Sequence, residues 1–168
     1  MLGLAAVSQA TVIISNYPQT NDTSTSAGLT TARIKALGFI MPNQDYFLDS
    51  VTVRLQFTAT AVGVPIVTIR EAGIPTAPGA ILTTLTAPGG YVAGAGNYTF
   101  TSAGSFLLAA NTKYWVAVAG DGGAGLDWRG SSPAITPTGL ATHDGSLFTS
   151  NSGTSWSNSA TLNTYEIN

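Results

Sequence analysis

The stretch from Asp45 to Phe57 constrains this chain more than any other. Val51, Val53, Leu55 and Phe57 are apolar, and Thr52, Arg54 and Gln56 between them are polar. A repeat of two places the two sets on opposite faces of a strand, one buried and one wet. Asp45-Tyr46-Phe47-Leu48-Asp49-Ser50 leads into that strand. An amphipathic strand of this length belongs in a β-sandwich or a barrel.

The rest of the chain repeats the signal more weakly. Thr11 to Ser15 is a β-branched run and reads as a first strand. Asn16 to Gly28 is rich in Asn, Asp, Ser and Thr and reads as a loop. Ala32 to Ile40 reads as a strand that ends at the turn Met41-Pro42-Asn43-Gln44. Strands are also expected over Val64 to Arg70, Ile81 to Thr86, Tyr98 to Phe100 and Leu126 to Arg129, with the last ones over Ser146 to Thr149 and Thr161 to Ile167. Lys113 to Ala119 is apolar on both faces and should be a central strand. Ala87 to Gly96 is Gly-rich and reads as a flexible connection. About nine or ten short strands at this spacing, with no long helical period, predict an all-β fold. The topology expected is a jelly-roll or other Greek-key β-sandwich with an N-terminal arm: residues 1–15 as arm or first strand, residues 16–168 as one sandwich domain.

Composition narrows the function. Only 8% of the 168 residues are charged, against about 25% in an average soluble domain. Thr and Ser cover the wet faces of the strands instead, which suits a protein working outside the cytoplasm or one largely covered by neighbours. The six basic residues are scattered and the net charge is −2, so no basic patch invites nucleic acid. Cysteine is absent, which excludes disulfides and thiol chemistry. No apolar run reaches the length of a membrane span.

Candidate sites are few. His143-Asp144 is the sole His-Asp pair, and no Gly-x-Ser-x-Gly accompanies it. A loop His beside the turn Asp144-Gly145 explains the pair without catalysis. Asp121, Asp127 and Asp144 lie near Gly-rich turns that could hold Ca²⁺, but the Asp-x-Asp-x-Asp-Gly spacing is missing and turn chemistry accounts for them. Trp128, between Asp127 and Arg129, and Trp156, within a Ser/Asn loop, are candidate partner or glycan contacts. The competing reading puts Trp128 in the core beside Trp115. Met1 to Ala10 resembles the apolar end of a secretory signal, with Val7-Ser8-Gln9-Ala10 as a candidate cleavage site. No Lys or Arg precedes Arg33, so the positive n-region is missing and a working arm is favoured. Leu2, Leu4 and Val7 would then be its docking residues, adding a strand to a partner sheet or filling a groove.

The middle of the chain carries a resemblance. The order is Tyr46-Phe47-Leu48-Asp49-Ser50-Val51-Thr52-Val53-Arg54-Leu55, then Val67-Thr68-Ile69-Arg70, then Pro78-Gly79-Ala80-Ile81-Leu82-Thr83-Thr84-Leu85. Asn97-Tyr98-Thr99-Phe100 and Leu108 to Val116 follow. This resembles the bacterial surface-protein domains called choice-of-anchor domains, the R type in particular, over roughly residues 39–128. The resemblance implies a secreted module without catalytic residues and with a C-terminal anchoring signal. Thr161 to Asn168 departs from that pattern, with no sorting motif, apolar tail or basic stop.

The function expected from these readings is a non-enzymatic structural module of a virion (a decoration, cement or fibre protein) or of another extracellular assembly. Its partners would be copies of itself or a neighbouring structural protein, and no cofactor is called for. The alternative is a secreted bacterial surface domain that binds carbohydrate or adheres.

Overall fold

The computed structural model describes residues 10–25, 28–58, 64–74, 76–122 and 125–168. The described residues form thirteen strands and no helix. Two antiparallel sheets pack face to face, so the all-β sandwich expected from the alternation is what the chain forms. The first sheet runs β10 (Thr138–Gly139), β1 (Ile14–Ser15), β13 (Tyr165–Ile167), β4 (Tyr46–Phe57), β9 (Leu126–Gly130), β2 (Ser24–Thr25), with β7 (Gly94–Leu108) on the other side of β4. The second runs β12 (Ser157–Asn158), β11 (Thr142–Thr149), β3 (Ile34–Ile40), β8 (Lys113–Gly120), β5 (Pro65–Ala72), β6 (Pro78–Thr84).

β4 organises the first sheet as its alternation requires. Val51, Val53, Leu55 and Phe57 point into the core, and Thr52, Arg54 and Gln56 stay half-buried on the outer face. Its neighbours share the work: β13 and β9 pair one edge of β4 in succession, and β7 lies along the other. On the outer face Arg54 donates to both Asp22 carboxylate oxygens, at 3.0 and 2.8 Å. That pairing holds the Asp22 carboxyl below the usual carboxylate range. It also ties the Asn16–Gly28 loop to the sheet.

The core between the sheets gathers Leu37 and Phe39 of β3, Val67 and Ile69 of β5, and Val116 and Val118 of β8 against the β4 face. Ile13 and Ile14 belong to it, fully buried. Of the two readings for residues 1–15, arm or first strand, Ile13 to Ser15 take the second: Ile13 and Ile14 fill this chain's own core and β1 pairs β13. Leu2, Leu4 and Val7 lie outside the described residues.

A second, smaller cluster covers the outer face of the second sheet. Ile34, Ala36, Trp115 and Ala117 form it, with Leu147 and Trp156 packed on top. It explains why β8 is apolar on both faces. It also moves Trp115 from the inter-sheet core, where the sequence placed it, to the outside of the sheet. Gly38 lies beside Trp115 in the ladder, and its bare backbone lets the indole lie flat there. Lys113 stacks its ammonium 4.5 Å above the same ring and pairs with Asp144 at 2.7 Å.

One buried cation gives the fold a pH signature. Lys35 is 4% exposed, and its Nζ donates to Ser159 Oγ at 2.5 Å and Thr161 O at 3.2 Å. No anion balances it among its bonds, and burial drives its pKa down to about 8. The unfolded chain therefore holds the extra proton above that pH. Stability should rise from about pH 8 toward about pH 10. Beyond about pH 10 the trend reverses, because burial raises the phenol pKa values of Tyr17 and Tyr165 and the folded state then binds the extra protons. Urea midpoints across that range should show the rise, and Lys35→Met should remove it. A flat profile in the unsubstituted chain would mean that Lys35 is solvated.

Candidate functional site

Two surfaces stand out once the sheets are assembled. The first is the flank formed by β6 and β7. Among the described strands β6 ends its sheet and pairs β5 alone, and β7 pairs β4 alone. Among the described residues the outer edge of β7 meets the chain leaving β6 at one bridge, Thr86 to Thr101, with N–O distances of 2.8 and 3.0 Å. Both sheets therefore present their terminal strands on one flank. Between Glu71 and Lys113 the sequence carries no charged residue at all. Open edges are normally guarded by lysines, prolines, bulges or a covering loop. Here one irregularity between Thr101 and Phe106, opposite Asp49, interrupts β7, two register shifts interrupt the pairing of β6 with β5, and Pro78 opens β6.

Exposed apolar side chains stand on and beside these strands. Ile81 on β6 is 51% exposed and Val92, just before β7, is 67% exposed. Phe47 and Leu107 are cross-strand partners on β4 and β7, both exposed. Phe47 also borders a recess of about 250 Å³ shared with Ala10, Thr11, Tyr46 and Asn168. The described chain begins at that recess.

The second surface is a cleft of about 370 Å³ between the β5–β6 turn and the loop that leads into β12. Gly73, Ile74 and Gly79 line one side, and Thr154, Ser155 and Trp156 the other. Asn151 shapes the second wall. Its Oδ1 accepts from Thr149 Oγ1 at 2.7 Å and from the Ser155 amide at 3.0 Å, and its Nδ2 donates to Ser155 Oγ at 2.9 Å. Its carbonyl accepts from Thr154 Oγ1 at 2.9 Å.

The two tryptophans singled out by sequence part company. Trp156 lines the cleft and is half-buried. Trp128 is 0% exposed, and its Nε1 donates to Thr164 O at 2.8 Å. Trp128 as a surface contact is therefore corrected to a core residue: its ring is enclosed within the sandwich. Its parity foretold this, because Leu126 and Trp128 share the inward face of β9 while Asp127 and Arg129 stay half-buried on the other.

His143 and Asp144 also separate. His143 Nδ1 lies 3.4 Å from the Tyr165 hydroxyl, and Asp144 pairs with Lys113. Burial is the main reason the His143 pKa falls below its usual value. No group of three His, Asp or Glu residues gathers among the described residues, so Asp121, Asp127 and Asp144 do not come together there. Among the described residues no helix is long and apolar enough to cross a membrane.

Sequence reasoning missed the β6–β7 flank. The charge-free run was visible, but its meaning needed the sheet order. No family model, curated protein or solved structure matches the chain.

Proposed function

We propose that this chain is a non-enzymatic structural module that joins surfaces through protein–protein contacts, in a virion or another extracellular assembly. The observation that carries the reading is the flank where β6 and β7 end their sheets side by side with no charged residue between Glu71 and Lys113. An uncharged open edge pairs readily with another strand, and chains that must stay single guard against it. A partner strand laid along β7 or β6 would complete the ladder, and the exposed Ile81 and Leu107 would pack against its side chains. Copies of this chain are the first partner to test, because two uncharged edges meet without like-charge repulsion.

Ile81→Lys combined with Leu107→Lys places a cation on each edge strand at exposed positions. The unsubstituted chain should associate as its concentration rises in sedimentation-velocity runs. The double variant should keep the fold and weaken the association about tenfold or more. A chain that stays monomeric throughout, with the variant sedimenting identically, would end the self-assembly reading.

A further inference from the structure

The cleft beside Trp156 goes beyond assembly and stands on different chemistry. Its volume of about 370 Å³ lies in the range of small-molecule sites. Its lining is small on one side, where Gly73 and Gly79 leave room, and aromatic on the other, where Trp156 stands. Hydroxyls at its lip are held in place but not exhausted. Ser155 Oγ accepts from Asn151 Nδ2, which leaves its own proton to donate. Thr154 Oγ1 donates to the Asn151 carbonyl, which leaves its lone pairs to accept. The rim therefore offers one donor and one acceptor beside an indole.

Charge selects among ligands. No lining residue is charged. Two charged residues flank it: Arg70 Nη1 donates to Gly79 O at 3.2 Å, and Glu71, packed against Gly79, accepts from the Ala80 amide through Oε1 at 3.2 Å. Their opposite charges leave no net charge beside the cleft to draw an anion or a cation. A purely apolar ligand would leave the two hydroxyls unpaired. The chemistry that satisfies all three features is a neutral ring with one C–H face to lie on the indole and hydroxyls around its edge.

We infer that this cleft binds a neutral pyranose, stacked on Trp156 and hydrogen-bonded by Thr154 and Ser155. Asn151 is the positioning residue, since its side chain and carbonyl fix both hydroxyls. The site is made of two turns already braced by the sheet, so binding requires no large rearrangement. Gly73 N donates to Ala77 O at 2.7 Å across one turn, and Gly153 N to Thr149 Oγ1 at 3.2 Å across the other.

The test uses the full chain, labelled with ¹⁵N, titrated with the methyl glycosides of glucose, galactose, mannose and N-acetylglucosamine. Three tryptophans give three separate indole N–H signals. At least one glycoside should shift the Trp156 signal saturably at millimolar concentration, while the Trp128 signal in the core stays still. Thr154→Val with Ser155→Ala, both at the cleft lip, should weaken that binding about tenfold with the spectrum otherwise preserved. Trp156→Ala should abolish it; where that variant loosens the outer cluster, the hydroxyl pair decides alone. Cyclohexanol serves as the apolar control and should shift Trp156 far less. No saturable shift with any of the four glycosides would overturn the inference. So would binding that survives loss of both hydroxyls, or cyclohexanol binding as strong as the sugars.

Discussion

Trp128→Ala should cost this protein about 3–5 kcal/mol of stability, the largest loss expected from any single truncation. The indole is fully buried between the sheets, and β9 pairs β4 at Leu55 opposite it. Removing it leaves a cavity that neighbours on two rigid sheets cannot close. It also removes one of the two hydrogen bonds to the Thr164 carbonyl, which accepts from Nε1 at 2.8 Å and from the Arg54 amide at 3.2 Å. Thr164 lies just before β13, so the damage spreads to the C-terminal strand. Its own amide bonds the Arg129 carbonyl at 2.8 Å, next to Trp128. Trp128→Phe separates the two contributions. It keeps most of the ring and loses the hydrogen bond, and should cost about 1–2 kcal/mol. Urea denaturation with unchanged slope gives both values. A loss under about 1 kcal/mol for the alanine variant would mean that the ring is not packed as described.

Gly38→Val is the second large effect, and its cause is space rather than backbone conformation. A Cβ at Gly38 would sit 2.3 Å from the Asp144 carbonyl oxygen and 3.1 Å from the Trp115 ring. The oxygen belongs to backbone, which cannot swing aside as a flexible side chain would. Valine adds two further carbons to the clash, and the expected cost is about 3 kcal/mol. The strain has a local readout. Trp115 would be displaced from the sheet, which disturbs its contacts with Lys113 and Trp156. Tryptophan emission should move to longer wavelength before global unfolding begins. A variant with the parent's stability and emission would show that β3 and β11 lie farther apart than this packing allows.

These two residues also mark how far the sequence could be read. β4 was legible because its alternation is uninterrupted and its wet face carries Arg54 and Gln56. β8 was legible as a central strand because both faces are apolar. What covers its outer face was not legible, since the cover comes from Trp156, distant in sequence and set in a loop without periodicity. β7 was the hardest to see. Gly94, Ala95 and Gly96 carry almost no strand signal, yet they extend Tyr98–Phe100 within a strand of 15 residues because β4 offers Phe57, Gln56 and Leu55 to pair with them. Two-residue strands such as β2, β10 and β12 exist only through tertiary pairing, and no local propensity announces them. Trp156 was legible as a surface aromatic, while its cleft partners came from a turn on the other side of the sequence.

The central claim is that the β6–β7 flank is an occupied interface in the working protein. Backbone hydrogen exchange, followed across Pro78–Thr84 and Gly94–Leu108 as protein concentration rises, tests it most directly. In the lone chain, amides on the free edges have no ladder partner and should exchange quickly. On association they should become protected selectively, while the buried strands β3 and β8 stay unchanged. Rapid exchange along both edges at every concentration, in a sample whose mass remains that of one chain, would contradict the account.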